Sequence, residues 1–130
     1  MIDASALLAV VFLEDDYEAF SEALRLRYGR LYISPVNYFE TWNRVDMLPR
    51  HERRYGLATL YETYPMQMVP TTKEQAYIAR QARRRYGRGS GSPAKLNMGD
   101  CFAYALAKTL DEPLLFKGDD FTHTDVKSAL

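Results

Sequence analysis

The chain has 130 residues and carries 17 Lys and Arg against 17 Asp and Glu, so its formal net charge is zero. This length is typical of one domain, and we expect a single domain over residues 1–130. The longest apolar run, residues 6–13, is too short to cross a bilayer, and a lone cysteine excludes both a disulfide framework and a cysteine-based zinc site. Together these features predict a soluble cytoplasmic protein without a membrane segment.

Short strand signals alternate with longer helical signals along the chain. In chain order, the strand candidates are residues 1–3, 31–33, 66–69, 113–116 and a last short segment, 125–130. An apolar stretch, 4–13, follows the first strand, and capping signals with helical spacing predict helices near residues 17–28, 34–46, 51–64, 71–86 and 97–110. The cap of the fourth of these is either Thr71 or Thr72, each of which has an acidic or amide residue three positions later. Because no hairpin signal separates the strands, the pattern predicts an α/β fold with a mostly parallel sheet of four to five short strands.

Acidic residues fall at positions where α/β folds form ligand sites. Asp3 ends the first predicted strand, and Asp119 and Asp120 follow the fourth, so both places open on the same edge of a parallel sheet. Asp100 falls in the first turn of the last helix, where free backbone N–H groups favour a carboxylate. Glu40 lies among aromatic residues, although Glu is rarely buried unless it is paired. Taken singly, each of these acids also fits an ordinary structural position: a strand end, a turn or a helix cap.

Taken together, several carboxylates in one cleft repel one another, so either their pKa values rise or a cation neutralises them. The chain contains two histidines and one cysteine, which leaves oxygen as the main source of ligands. Oxygen ligands favour hard ions such as Mg²⁺ or Mn²⁺ over zinc. We expect His51 and His123 at the surface or at helix ends.

Charge is distributed unevenly in spite of the zero balance. Residues 1–24 contain six acidic and no basic residues, whereas residues 73–95 contain seven Lys and Arg against Glu74. Such a basic segment attracts polyanions. The alternative is a solvated helix end whose cations interact with the helix dipole.

Four sequence blocks resemble the PIN domain in their order and approximate spacing. They are MIDASAL at residues 1–7, FETWNR at 39–44, LNMGDCFAYALA at 96–107 and LLFKGDDFTHTD at 114–125. The last block is especially similar to VapC-type toxins, the ribonucleases of bacterial type II toxin–antitoxin pairs. This resemblance implies a PIN-like three-layer sandwich with helices on both sides of the sheet.

The resemblance also implies an Mg²⁺- or Mn²⁺-dependent endoribonuclease. By position in the motifs, the catalytic residues would be Asp3, Glu40, Asp100, and Asp119 or Asp120, with metal ligands Asp3, Glu40, Asp100 and Asp120. Ser5, Thr124 and Asp125 match the family's hydroxyl and acidic residues that lie beside the ligands.

The partners implied by the resemblance are an RNA substrate, a VapB-like antitoxin and a second copy of the chain in a homodimer. In a nuclease of this kind we expect phosphate contacts from four basic residues: Arg80, Arg83, Arg84 and Arg88. Aromatic residues on the two middle helices fit either core packing or an interface. The alternative function is a PIN-like module that binds RNA or a partner without cleavage.

Overall fold

The computed structural model describes residues 1–49 and 51–130, and its elements follow the predicted alternation. The helices are α1 (Ala4–Phe12), α2 (Tyr17–Leu26), α3 (Pro35–Asp46), α4 (Glu52–Thr63), α5 (Lys73–Tyr86) and α6 (Met98–Leu110). The strands are β1 (Tyr32–Ile33) and β2 (Gln67–Met68), and a 3-10 turn covers Asp120–His123. Within the described part of the chain, no helix has both the length and the apolar character needed to span a membrane.

The predicted capping residues begin the helices that carry the acids. The Ser34 hydroxyl accepts a hydrogen bond from the third residue of α3 at 3.0 Å. Thr72, and not Thr71, caps α5. Asn97 begins α6 in a reciprocal capping box with Asp100. These local interactions fix where α3 and α6 start and therefore which residues lie in their first turns.

The sheet is parallel, as predicted, but its ladders are shorter than expected. In the described residues, β1 and β2 form a two-residue parallel ladder, with Tyr32 beside Gln67. The predicted strands near residues 1–3, 113–116 and 125–130 form single parallel bridges, between Ile2 and Leu115 and between Leu114 and Ser128. The first segment is short because α1 begins directly after Asp3. In place of the predicted four to five strands, the described residues form one two-stranded ladder, which isolated parallel bridges extend.

Two hydrophobic cores lie on opposite faces of these parallel segments. One core contains residues of α5 and α6, and the other contains residues of α1 to α4. Neighbours in sequence alternate between them, since Leu114 belongs to the first core and Leu115 to the second. This alternation follows from the pleat of an extended chain. The resulting order of helices, sheet and helices is the three-layer α/β arrangement that the sequence resemblance implied.

Candidate active site

Asp3 is buried at the end of the first strand segment and is held through both carboxylate oxygens. Its Oδ2 accepts hydrogen bonds from the Ser5 amide at 2.9 Å and from the Ser5 hydroxyl at 2.5 Å, which caps α1. Its Oδ1 accepts a bond from Asn37 Nδ2 at 3.0 Å. Asn37 is fully buried, also donates to the Gly99 carbonyl at 3.2 Å, and accepts from Ser34 Oγ through its own Oδ1. The Asp3 carboxylate is thereby linked to the starts of α1, α3 and α6.

Asp100 lies in the first turn of α6, where the capping box determines its orientation. Its Oδ2 accepts a hydrogen bond from the Asn97 amide at 2.7 Å, and its own amide donates to Asn97 Oδ1 at 3.0 Å. One carboxylate oxygen therefore serves the cap. The other is available to the cavity that Asp100 lines.

Glu40 lies one helical turn after Asn37 on α3 and packs directly on the backbone of Gly99. A Cβ atom at position 99 would overlap Glu40 Oε2 and would lie 2.9 Å from Glu40 Cδ. Real Cβ atoms essentially never approach so closely. Glycine at position 99 is therefore what allows the Glu40 carboxylate to reach the start of α6.

These acids line one cavity of about 290 Å³. Its carboxylates come from Asp3, Glu40, Asp100 and Asp120. Asp119, the other candidate from sequence, is exposed and lies outside the lining of this cavity. Adjacent residues on a turn face different directions, and here Asp120 is the one that faces the cavity.

Two basic side chains also line this cavity. Arg44 lies one turn after Glu40 on α3. The Lys117 ammonium forms ion pairs with Glu14 and, at 2.5 Å, with Asp16, while its backbone amide donates to Ser5 Oγ at 3.0 Å. The cavity therefore combines a group of carboxylates with positive charge on its wall.

Burial and mutual repulsion raise the pKa values of these carboxyl groups. Burial raises the pKa of Glu40 to about 7, and the nearby charges of Asp3 and Asp100 add to the effect. Burial likewise raises the pKa of Asp100 to about 6, with further contributions from Asp3 and Asp120. The pKa of Asp3 is also raised by burial, even though its bonds from Ser5 favour the charged form. Each acid thus makes its neighbours harder to ionise, which is the expected result when carboxylates converge.

A divalent cation fits the chemistry of this set of donors. The converging ligands are carboxylate oxygens, which suit Mg²⁺ or Mn²⁺, and positive charge would relieve the repulsion among them. Within residues 1–49 and 51–130, no group of three or more Asp, Glu, His or Cys side chains is already close enough to hold one ion. Binding would therefore draw the four side chains together.

Thr124 and Asp125 lie outside this cavity. The Thr124 hydroxyl donates to the Phe121 carbonyl at 2.7 Å and stabilises the end of the 3-10 turn. Asp125 accepts a hydrogen bond from the Tyr104 hydroxyl at 2.7 Å and pairs with Lys108 at 3.2 Å. These contacts attach the C-terminal segment to α6. Of Ser5, Thr124 and Asp125, the three residues expected beside the metal ligands, Ser5 is the one that contacts Asp3.

The predicted basic residues lie on α5 and on the loop that follows it. Arg80, Arg83 and Arg84 are exposed on the helix, and Arg88 is exposed in the loop. Arg83 Nη1 donates to the Arg88 carbonyl at 2.6 Å, which connects the helix to the loop. The charge of Arg88 reaches Asp100, whose pKa it lowers against the larger effect of burial. The basic segment is therefore next to the acidic cavity.

Known proteins match this chain over almost its entire length. The sequence pattern of the PIN domain family matches residues 1–127. The chain belongs to the PIN domain family. This PIN domain is 43% identical over 129 residues to ribonuclease VapC42 of Mycobacterium tuberculosis. The aligned region covers 99% of this chain and 98% of the relative. It is 42% identical over 130 residues to ribonuclease VapC28 of the same organism (100% and 97% covered) and 40% identical over 126 residues to ribonuclease VapC30 (97% and 95% covered). The recognition of a VapC-type PIN domain from its motifs is confirmed.

Sequence reasoning missed four residues that shape the site of this PIN domain: Asn37, Arg44, Gly99 and Lys117. Asn37 and Arg44 are three and four residues from Glu40, so helical spacing alone places them on the same face of α3. Gly99 directly precedes Asp100, and Lys117 lies two residues before Asp119 in sequence. The distance of these residues from the predicted acids can be read from the sequence, but the contacts that they make join segments far apart in the chain.

Proposed function

We propose that this PIN domain is an endoribonuclease that uses Mg²⁺ or Mn²⁺ to hydrolyse RNA phosphodiester bonds, and that it acts as the toxin of a toxin–antitoxin pair. The observation that carries the proposal is the convergence of four carboxylates, from four separate segments, on one cavity, where the pKa values of Asp3, Glu40 and Asp100 are raised. The names of its relatives, ribonucleases VapC42, VapC28 and VapC30, support the same activity.

The ion would be held by Asp3, Glu40, Asp100 and Asp120. When bound there, a divalent ion supplies Lewis acidity, which activates water and neutralises charge on the phosphate. Asp3 enters this site already oriented by Ser5 and Asn37. The fixed geometry of Asp3 and of the capped Asp100 gives the site two anchored oxygen donors.

Without the ion, burial and the neighbouring acids raise the pKa of Glu40 to about 7. A divalent cation bound nearby would favour the ionised form, so Glu40 would either bind the ion or orient the attacking water as a carboxylate. Arg44 lines the same cavity and would supply positive charge for the phosphate of the substrate, whereas the Lys117 ammonium is already paired with Glu14 and Asp16. We assign Asp120 the role of fourth acid because it lines the cavity, with Asp119 as the neighbouring alternative.

The proposed partners follow from the surface of the molecule and from its relatives. Tyr38, Trp42 and Tyr61 pack on one another with ring centroids 5.3 to 6.4 Å apart, so these aromatics serve the core. Phe39 and Tyr55 are 67% and 75% exposed on the same two helices, and we assign them to an interface in a homodimer. A VapB-like antitoxin is proposed from the VapC names of the relatives. We propose that the protein acts in the cytoplasm, where its RNA substrate would be found.

The test is cleavage of bulk cellular RNA by the purified protein with Mg²⁺ or Mn²⁺, compared with the same reaction in chelator. Asp100→Asn should abolish cleavage, whereas Asp111→Asn, an exposed acid at the other end of α6, should leave it unchanged. Asp120→Asn should reduce cleavage far more than Asp119→Asn. Cleavage that continues in chelator would contradict metal dependence, and RNA binding without cleavage would indicate a catalytically silent module.

A further inference from the structure

A second cavity lies between α5 and α6, next to the carboxylates but separate from them. This groove has a volume of about 310 Å³. Its floor is the buried Cys101, and its walls include Ala76 and Ala79 of α5 and Met98 and Phe102 of α6. Met98 is 70% exposed, so its side chain is accessible to a ligand in the groove. Small-molecule sites begin at about 300 Å³, so the groove has room for a single small planar group.

Positive charge lies along the same groove. Arg80 and Arg83 complete its lining. The sequence contains no acidic residue between Glu74 and Asp100, so the segment from which α5 contributes to the groove is basic.

The groove and the carboxylate cavity share the first turn of α6. Asp100 lines the cavity, while Met98, two residues earlier, and Cys101, the next residue, line the groove. A nucleic-acid strand that runs from the cavity to the groove would therefore cross this one turn of α6.

We propose that the groove between α5 and α6 binds an unpaired nucleobase of the RNA adjacent to the cleaved phosphate, an inference that rests on the proposed ribonuclease activity. The base stacks on Phe102 and contacts Met98, while Arg80 and Arg83 bind flanking phosphates. Apolar and aromatic walls beside basic side chains are the combination by which proteins bind unpaired bases. An acidic peptide would also satisfy the charge, but a nucleic-acid strand fills the groove and places a phosphate at the carboxylates at the same time.

The experiment fills the groove without changing any charge. Ala76 is exposed and lines the groove, so Ala76→Phe should occupy it without disturbing the core. Gln81→Phe is the matched control, since Gln81 is exposed on the same helix and lies outside the groove lining. All proteins carry Asp100→Asn so that the RNA stays intact. Affinity is measured for a mixed-sequence single-stranded RNA decamer, for a ribose-phosphate decamer without bases and for decaglutamate.

The protein with an open groove should bind the RNA decamer about tenfold more tightly than the decamer without bases. Ala76→Phe should reduce this preference to about twofold, whereas Gln81→Phe should retain it. An unchanged preference in Ala76→Phe, or no preference in any of the proteins, would overturn the proposal. A third outcome would assign the groove to an acidic peptide. In that case no protein would prefer RNA with bases, and Ala76→Phe would weaken binding of decaglutamate whereas Gln81→Phe would not. Failure of the proposed function would appear separately, as no RNA cleavage by the protein that retains Asp100.

Discussion

Asn37 connects three helix starts although it carries no charge. It donates to Asp3 Oδ1 and to the Gly99 carbonyl, and its own amide oxygen accepts from Ser34. Buried hydrogen bonds of this kind orient a carboxylate because the carboxylate cannot turn without leaving a donor unsatisfied. Asn37 is therefore a positioning residue for Asp3.

Asn37→Ala should weaken both stability and cleavage. Loss of three buried side-chain hydrogen bonds, one of them to a carboxylate, should lower the free energy of unfolding by about 2–4 kcal/mol. Misplacement of Asp3 should lower the cleavage rate at saturating RNA by about tenfold or more. Chemical denaturation and single-turnover cleavage measure the two effects, and Asn43→Ala, an exposed asparagine on the same helix, is the control. Equal behaviour of the two variants would show that Asn37 has no positioning role.

Gly99→Ala tests the contact between α6 and Glu40. The added methyl group would overlap Glu40 Oε2, so the carboxylate must leave its present position. We expect the cleavage rate to fall by about tenfold or more, with RNA affinity nearly unchanged. Gly56→Ala on α4 is the matched control, because no atom lies within 4 Å of a Cβ there, and it should stabilise the protein by about 0.5–1 kcal/mol. If Gly99→Ala cleaves RNA at the normal rate, the close packing of Glu40 is not required.

At the scale of elements, helix starts organise the site. Asp3 caps α1, Asp100 belongs to the capping box of α6, and the cap of α3 also orients Asn37. A helix start provides free N–H groups and a partial positive charge, both of which favour carboxylates. The same local interactions that begin these helices therefore also set the orientation of the acids.

We expect the α5 helix to contribute electrostatic affinity for RNA, which substitution of its arginines can measure. Arg80→Gln and Arg84→Gln should each weaken RNA binding and reduce the slope of log affinity against log salt by about 0.7, the value for one lost phosphate contact on a single strand. The control is Arg25→Gln on α2, whose guanidinium already pairs with Glu22 at 2.6 Å. Affinity titrations at several salt concentrations measure the slope. An unchanged slope in both α5 variants would mean that the helix does not contact RNA phosphates.

At the scale of the whole molecule, the acidic cavity opposes folding once its carboxyl groups ionise. It lies where the ends of separate segments meet, and burial there raises the pKa of Glu40 to about 7 and of Asp100 to about 6. The folded chain therefore binds more protons than the unfolded chain between about pH 4 and pH 7. Across that window, these carboxyl groups lower stability as the pH rises, whereas the Met1 amine, whose pKa burial lowers to about 6, acts in the opposite sense above about pH 6.

In chelator, the free energy of unfolding should decrease by on the order of 1–2 kcal/mol from pH 5 to pH 6, after allowance for solvent screening at the partly exposed Glu40. Above about pH 6 the Met1 amine contributes in the opposite sense, so the difference between the wild type and Glu40→Gln isolates the carboxyl effect there. Added Mg²⁺ should stabilise the protein at pH 8 and have little effect at pH 4, because the ion binds the ionised carboxylates. Thermal or chemical denaturation across pH measures these changes, and stability that is constant or rises between pH 5 and pH 6 would contradict convergence of these acids.

Local sequence signals predicted the helices well. Ser34 with Pro35, and Asn97 with Asp100, define helix starts through contacts within a few residues, so the sequence alone predicts them. The predicted strands were longer than the paired segments in the structure, because an apolar run indicates extended chain but the number of paired residues depends on distant segments. The α/β class and the parallel direction were nonetheless correct.

The choice between Asp119 and Asp120 shows what the sequence left open. Both are acidic and adjacent, and only the path of the turn determines that Asp120 lines the cavity. The contacts of Asn37 with Asp3 and Gly99 join residues 34 and 62 positions apart, so no local pattern contains them. The sequence by itself determined the helix starts, the parallel order and the acidic residue types, since these depend on neighbours along the chain. The tertiary structure decided which carboxylates meet, what orients them and which groove lies beside them, because those depend on how distant segments pack.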